Sequence, residues 1–470
     1  MTNPTGLSCF KAYDVRGRLG ETLDGDIARA IGRGFAAARQ PKSVVIGRDA
    51  RESSTDLANA LARGLIAGGV DVIDIGLCGT EEVYFATDHL KADGGLCVTA
   101  SHNPIDYNGI KLVQAGARPL TPADLDAVRL ASEVTHPDAA TPGTRMQANP
   151  RADYVARVLG FVDPAALTPL RVLVNAGNGA AGPTFDAIAD ALAAAGAPVE
   201  WVRMHHDPDP SFPNGIPNPM LIENQPVTGD AVLAQGCDLG LAWDGDFDRC
   251  FFFDHHGRFV PGEYMVGLLA AAFLEGNPGA QIVYDPRVTW NTVDLVNTAG
   301  GVPVQARTGH AFMKAVMRAH DAVYGGEMSA HHYFRDFMYC DSGMIPALLV
   351  IAHICGTGRS LSDLVAARRA AFPSSGEMNF AVEDAEAATA RVMKEFAGGE
   401  IRRDDSDGTS LEFAEWRFNL RRSNTEPLLR LNVETRGDAD LLADKVARLE
   451  ALIRGETSKP LKSHPLRKGR

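Results

Sequence analysis

Cysteine is scarce. Seven occur in 470 residues, at positions 9, 78, 97, 237, 250, 340 and 355, and no two stand in a C-x-x-C spacing. An odd set without paired spacings argues against a disulfide framework and against a thiolate zinc site, so the thiols read as reduced, as in a cytosolic protein. An excess of positive charge is lacking too: Lys and Arg number 46 against 59 Asp and Glu, a formal net charge of −13. A chain held broadly on nucleic acid or on an anionic membrane would carry the opposite balance. A small anion needs only a local cluster of cations and stays open as a partner. Long apolar runs are missing, since stretches such as MIPALLVI at 344–351 fall far short of the roughly 20 residues of a membrane span. The opening MTNPTG has no charged region leading into an apolar run and so does not resemble a secretion signal. These absences lead to the expectation of a cytoplasmic protein that engages neither nucleic acid nor membrane.

What is present is a globular composition, 45% apolar and 22% charged, with length for several domains at roughly 150 residues each. A short β-branched run, a turn rich in Gly, Asp and Arg, and an Ala/Leu-rich helical stretch recur three times, opening with SVVIGRDAR (43–51), RVLVNAGNGAAG (171–182) and QIVYDPRVTWN (281–291). These read as β-then-α units. The last part differs, with strand-like runs at 411–419 and 428–435 and then a helical stripe of Leu442, Val446, Leu449 and Ile453. The expectation is three α/β domains (1–145, 146–252 and 253–371), a smaller α+β domain (372–458) and a basic, mobile tail (459–470).

Ser101 stands in TASHNPIDYNGIK (99–111), after the buried-strand run GLCVTA and ten residues before Lys111. It lacks the flanking glycines of a hydrolase G-x-S-x-G elbow. His102 is adjacent, and consecutive side chains diverge, so it is a poor base for its own neighbour. Nucleophile, phosphate carrier and helix cap all remain open for Ser101. The turn DGDFDR (244–249) sets Asp244, Asp246 and Asp248 two residues apart between apolar strands. Three close carboxylates repel unless a cation compensates them, and oxygen ligands in this number suit Mg²⁺ or Ca²⁺. An EF-hand is excluded, because Arg249 and His255 stand where its Gly and Glu belong.

RRSNTEP (421–427) joins Arg421 to Ser423, Asn424 and Thr425, a guanidinium fork with hydroxyls suited to phosphate. GEMSAHHYF (326–334) places Glu327, Ser329 and His331 where a carboxylate and a hydroxyl can read sugar hydroxyls, and His310 and Arg287 are weaker signals. Gly177, Gly179 and Gly182 form G-x-G-x-x-G after a strand, with Glu200 beyond. That pattern raises an NAD(P)-dependent dehydrogenase as a rival. A sugar-phosphate-binding protein without catalysis is a second rival.

A serine, an acidic turn, a sugar-reading loop and a phosphate clamp share one use, phosphoryl transfer on a sugar phosphate. With FKAYDVRG (10–17) at their head, these motifs resemble in order those of the α-D-phosphohexomutase superfamily, and within it the bacterial phosphomannomutase/phosphoglucomutase branch. Met328 in the sugar loop favours the mannose side. The resemblance implies four domains around a central active-site cleft, the first three with mixed sheets. It implies a phosphohexomutase that interconverts mannose 6-phosphate and mannose 1-phosphate, with glucose phosphates as further substrates. Hexose 1,6-bisphosphate would be its intermediate and activator, and the chain would be a monomer or homodimer. Ser101 would carry the phosphoryl group, and Asp244, Asp246 and Asp248, with Ser101, would hold one Mg²⁺. Lys111, Arg16, Arg249 and His102 would surround the reacting phosphate, with Lys111 a candidate acid/base. Glu327 and Ser329 would contact the sugar 3- and 4-hydroxyls. Arg421, Ser423, Asn424 and Thr425 would grip the other phosphate, and Tyr13, Arg287, His310 and His331 would be supporting substrate contacts. Two departures stand out: Ala330 where many relatives have Gly, and Arg287 where some have Lys.

Overall fold

All three β-then-α openings form. The strand Ser43–Arg48 leads into the helix Glu52–Ala67, Leu170–Asn175 into Ala181–Ala194, and Gln281–Tyr284 into Trp290–Thr298. The computed structural model describes residues 6–422 and 428–455, so Ser423, Asn424, Thr425 and the basic tail lie outside the described residues. By contacts the chain divides into two units. The larger runs to Asp285 and resumes over Asn291–Ala366; the smaller comprises Pro286–Trp290 and the chain from Ala367.

The larger unit holds three sheets, each mixed for the same reason. Strands joined through a helix run parallel, whereas strands joined by a short turn must return antiparallel. In the first sheet the order is Val15–Arg18, Tyr107–Gln114, Gly94–Val98, Ser43–Arg48, Asp71–Leu77 and Arg145–Gln147, with Arg118–Pro119 paired to Tyr107–Gln114. Ser43–Arg48 lies parallel to its neighbours, and Gly94–Val98 then turns back antiparallel into Tyr107–Gln114. The second sheet runs Phe259–Val260, Cys250–Asp254, Leu239–Trp243, Leu170–Asn175, Val199–Met204, parallel at its far end and antiparallel from Leu239–Trp243 into Cys250–Asp254. In the third, Val302–Gln305, Gln281–Tyr284 and Tyr324–Gly326 are parallel, and Tyr324–Gly326 turns back into His332–Phe334 and on to Cys340–Asp341. One motif sits at each hairpin tip: Ser101 in the first sheet, the three aspartates in the second, Glu327 and Ser329 in the third.

Large buried side chains fill this unit, with Trp243 and Phe252 of the second sheet and Phe247 of its acidic turn in one cluster with Tyr324 and Phe334 of the third. The apolar helix Met344–Thr357 is a core helix whose Met344, Ile345, Leu348 and Ile351 are buried. No single helix among the described residues is long and apolar enough to cross a membrane.

The smaller unit carries an antiparallel sheet ordered Met378–Ala381, Leu428–Thr435, Trp416–Arg422, Thr409–Glu412, Arg402–Asp404. The run 411–419, expected as one strand, is two. Phe413 N–H bonds to the Trp416 carbonyl at 2.8 Å, which folds the chain into a tight hairpin. The expected stripe lies on the helix Ala439–Arg454, where Leu449 and Ile453 are buried and Leu442 and Val446 pack against the same core. Glu434 explains why Pro286–Trp290 joins this unit. Its carboxylate accepts the Thr289 and Trp290 N–H groups at 2.8 and 3.1 Å and pairs with Arg417 at 2.6 Å. Arg417 in turn donates to the Arg287 and Pro286 carbonyls at 3.1 and 2.8 Å.

Candidate active site

Ser101 follows the wholly buried strand Gly94–Val98, and no helix begins there. The helix-cap expectation is therefore corrected: residues 101–106 form a turn that leads directly into Tyr107–Gln114. The Ser101 N–H donates to Thr99 Oγ1 at 2.8 Å, and its backbone is left-handed at φ 50°. That twist swings two adjacent side chains together. His102 Nδ1 lies 3.0 Å from Ser101 Oγ, which overturns the expectation that neighbours diverge. Arg249 Nη2 contacts the same Nδ1. A guanidinium only donates, so this nitrogen carries no proton of its own.

Beneath the turn lies a residue the motifs do not flag. Arg51 is 2% exposed, and its guanidinium donates to the carbonyls of Ser101, Asn103, Pro104 and Tyr107 at 3.0, 2.5, 2.9 and 3.1 Å. Asp49, 3.6 Å from Arg51 Nε, balances its charge. Arg51 thus fixes the backbone that presents Ser101. Its one sequence signal is the charged cluster Arg48, Asp49 and Arg51 that ends the opening SVVIGRDAR. Arg16 approaches from the edge strand Val15–Arg18, donating to Asn103 Oδ1 at 3.1 Å and to Asp14 Oδ2 at 3.0 Å.

The acidic turn meets the serine turn closely. A Cβ at Gly245 would stand 2.7 Å from the Ser101 carbonyl, so only glycine permits the approach. Ser101 Oγ donates to Asp244 Oδ2 at 2.5 Å, and Arg249 donates to the same oxygen through Nε at 2.9 Å and Nη2 at 2.6 Å. The register Cys97↔Lys111 places Lys111 so that Nζ reaches Asp246 Oδ2 at 2.7 Å and Asp248 Oδ2 at 2.5 Å. Thr80, at the start of the helix Thr80–His89, donates its hydroxyl to Asp246 Oδ2 at 2.5 Å. It too went unread, because no pattern marks it.

The charges follow from these contacts. Burial pulls the Lys111 ammonium down, but Asp246 and Asp248 outweigh it, so Lys111 stays protonated. Burial likewise raises the Asp248 carboxyl, and Lys111 and His331 hold it well below the usual range. At Asp244 burial prevails over Arg249 and raises the carboxyl.

The second oxygens of the three carboxylates decide the metal question. Asp244, Asp246 and Asp248 are at most 2% exposed, yet Oδ1 of each has no hydrogen-bond partner. Buried carboxylate oxygens without donors are costly. These three residues offer ligand oxygens within 4.8 Å of one another. The donor set is all oxygen and carries three charges, which fits a hard divalent cation such as Mg²⁺.

The loop 326–334, expected to read the sugar, adjoins the acidic turn through an antiparallel bridge between Arg249 and His331. Ala330 adopts φ 70°, a conformation that favours glycine, so the Ala-for-Gly departure is a strained one. The Glu327 carboxylate accepts Tyr333 O–H at 2.5 Å and Gly309 N–H at 2.9 Å. His331 sits between the motifs, with Nδ1 3.3 Å from Ser329 Oγ and Nε2 3.6 Å from Asp248 Oδ1. Tyr13 meets His310 edge-on at 4.7 Å, and burial, Asp14 and Glu327 push its hydroxyl up to about 12.

The larger unit therefore assembles Tyr13, Arg16, Ser101, His102, Lys111, the three aspartates, Arg249, His310, Glu327, Ser329 and His331. Arg287 and Arg421 belong to the smaller unit, where both reach Glu377. The G-x-G-x-x-G turn is used for packing. A Cβ at Gly177, Gly179 or Gly182 would stand 2.4 Å from Pro217, 2.9 Å from the Gly245 carbonyl and 1.9 Å from the His206 carbonyl.

The chain is similar to known proteins over nearly its whole length. Models of the phosphoglucomutase/phosphomannomutase family match residues 8–135 as alpha/beta/alpha domain I, 152–257 as domain II, 261–372 as domain III and 377–452 as the C-terminal domain. A phosphomannomutase of Salmonella typhimurium is 56% identical over 454 residues, covering 96% of this chain and 99% of the relative. The phosphohexose mutases of Xanthomonas campestris are 55% identical over 452 residues, covering 96% and 100%. A crystal structure of a phosphoglucomutase/phosphomannomutase family protein from Burkholderia thailandensis superposes with a TM-score of 0.85 at 32% identity, covering 97% of this chain and 99% of that one. Three α/β domains with mixed sheets and a smaller C-terminal α+β domain, joined to this similarity, make the chain a member of the phosphoglucomutase/phosphomannomutase family and an enzyme of the phosphohexomutase class.

Proposed function

We propose that the enzyme is a phosphomannomutase that also accepts glucose phosphates. It interconverts mannose 6-phosphate and mannose 1-phosphate through a phosphorylated Ser101 and a hexose 1,6-bisphosphate. The observation that carries this reading is the setting of Ser101 Oγ, which touches Asp244 Oδ2 at 2.5 Å, His102 Nδ1 at 3.0 Å and Arg249 Nη2 at 3.4 Å. A hydroxyl beside the Arg249 guanidinium and the carboxylates of the acidic turn suits a phosphoryl carrier better than an acyl nucleophile, which would need an oxyanion hole. The mannose preference rests on the relatives named phosphomannomutase.

In the forward half-reaction the P–O bond to Ser101 Oγ breaks as a P–O bond to the sugar hydroxyl forms. Arg16, Arg249 and the protonated Lys111 hold charge on the transferring oxygens. The proton of the attacking hydroxyl ends on Ser101 Oγ, which cleavage of the P–O bond would otherwise leave as an oxyanion, with the protonated Lys111 the candidate acid/base for that exchange. Asp244, Asp246 and Asp248, with Ser101, would hold Mg²⁺, which supplies further positive charge to the phosphoryl oxygens. Glu327 and Ser329 bind the 3- and 4-hydroxyls. Neither reads the configuration at C2, which is why mannose and glucose phosphates both serve. Arg421 and Arg287, with Ser423, Asn424 and Thr425, bind the phosphate that is not being transferred. After the bisphosphate has turned over, its other phosphate returns to Ser101.

Intact-mass analysis of the purified protein tests this reading. A phosphoryl group adds about 80 Da, and it should vanish together with turnover in Ser101→Ala; a label that maps elsewhere overturns the mechanism. Chelation should abolish turnover, and parallel kinetics with mannose 1-phosphate and glucose 1-phosphate should show activity on both.

A further inference from the structure

The clamp arginines share a partner that no motif contains. Glu377 stands just before the strand Met378–Ala381, and its side chain is 10% exposed. Arg421 Nη2 donates to Oε2 at 2.8 Å, Arg287 Nη1 lies 3.5 Å from the same oxygen, and Arg430 Nη1 lies 3.4 Å from Oε1. The register causes this meeting. Arg421 sits directly opposite Arg430, and the pair Met378↔Leu431 brings residue 377 alongside 432, diagonal to Arg430 on the same face. Like charges facing across a sheet repel, so this pair requires an anion. Arg287 arrives separately, its backbone held by Arg417. Burial raises the Glu377 carboxyl, but the three arginines outweigh it and keep it below the ordinary value, and therefore ionised.

Three guanidinium groups and one carboxylate leave two positive charges among these four side chains. A phosphate monoester brings close to two negative charges at neutral pH. A carboxylate also offers the same pair of acceptors to a guanidinium fork that a phosphate does. We propose that Glu377 is the internal anion of the phosphate clamp, sharing Arg287, Arg421 and Arg430 with the substrate phosphate so that the phosphate is gripped yet released. This rests on the reading of Arg421 and Arg287 as phosphate ligands. The reaction gives release its importance. A bisphosphate that must turn over has to leave the clamp once in every cycle, and the three arginines without this carboxylate would hold it longer.

The test is Glu377→Gln in the full chain, which keeps the shape and removes the charge. KM for mannose 1-phosphate and the inhibition constant of inorganic phosphate should both fall about three- to tenfold, and kcat should fall with them, as expected for losing one charged competitor. If KM and the phosphate inhibition constant stay put or rise, Glu377 only braces the arginines and the proposal is wrong. Glu377→Asp, which keeps the charge, should recover most of kcat; recovery no better than with Gln would also overturn it. Arg421→Ala separates the two layers. Unchanged KM there removes the clamp reading itself, whereas a raised KM beside an untightened Glu377→Gln removes only the role of Glu377.

Discussion

Ser101 pays for its position with a left-handed backbone, a cost of about 1 kcal/mol for a residue with a Cβ, and Arg51 holds it there with four hydrogen bonds. The serine was legible because its neighbours form a contiguous motif. Arg51 and Thr80 were not, because their meaning comes from partners 50 or more residues away. Asp74 is a similar case with a measurable outcome. It accepts Arg145 Nη2 at 2.5 Å, Gln147 Nε2 at 2.9 Å and Gly76 N–H at 2.8 Å, which ties the strand Arg145–Gln147 to the first sheet. Burial raises its carboxyl, and Arg145, Gly76 and Gln147 together bring it below the ordinary value. A depressed folded-state value means the stabilisation is present above the unfolded value, near pH 4, and is lost as pH falls through the folded one. Asp74→Asn should therefore cost about 2 kcal/mol at pH 7, and urea unfolding should show the gap narrowing on acidification. A gap that is constant or wider in acid contradicts the ion-pair account.

At the scale of elements, the recurring device is a hairpin tip that closes a parallel sheet with an antiparallel strand. Three tips carry three motifs, which is why spacing alone located them. The strand at 411–419 was misread as continuous because Phe413, Ala414 and Glu415 include none of the usual turn formers, and the break shows only in the Phe413–Trp416 hydrogen bond. Glycines let the tips approach. A Cβ on Gly343 would lie 2.4 Å from the Phe247 carbonyl and 2.9 Å from the Arg249 carbonyl, inside the acidic turn. Gly343→Ala should displace that turn at a cost of about 1–3 kcal/mol and lower turnover more than tenfold by rough estimate. Gly356, in the helix Met344–Thr357 with nothing within 4 Å of its would-be Cβ, is the control. Alanine there should leave turnover alone and raise stability by about 0.5–1 kcal/mol. Equal loss of activity in both variants would refute the packing argument.

At the scale of the molecule, the sequence foretold four domains from composition shifts and periodicity. It held no sign that Pro286–Trp290 would pack with the C-terminal unit, because the acceptor, Glu434, is 145 residues away from Thr289. That unit has its own core, with Phe380, Val392, Leu411, Phe418, Leu431 and Leu449 buried together. Scanning calorimetry should therefore need more than one transition to fit. Glu434→Ala should strip two N–H groups and Arg417 of their acceptor and lower the transition of the C-terminal unit by the equivalent of about 3 kcal/mol. The other transition should stay in place; a uniform shift of both would count against a separate core.

The capture of Pro286–Trp290 also orders events in time. The five residues leave the ribosome 145 residues ahead of the carboxylate that receives them. At about 5–20 residues per second, that is a wait on the order of ten seconds. Arg287 is synthesised early and placed late: the proposed phosphate clamp is not complete until the strand Leu428–Thr435 has been made.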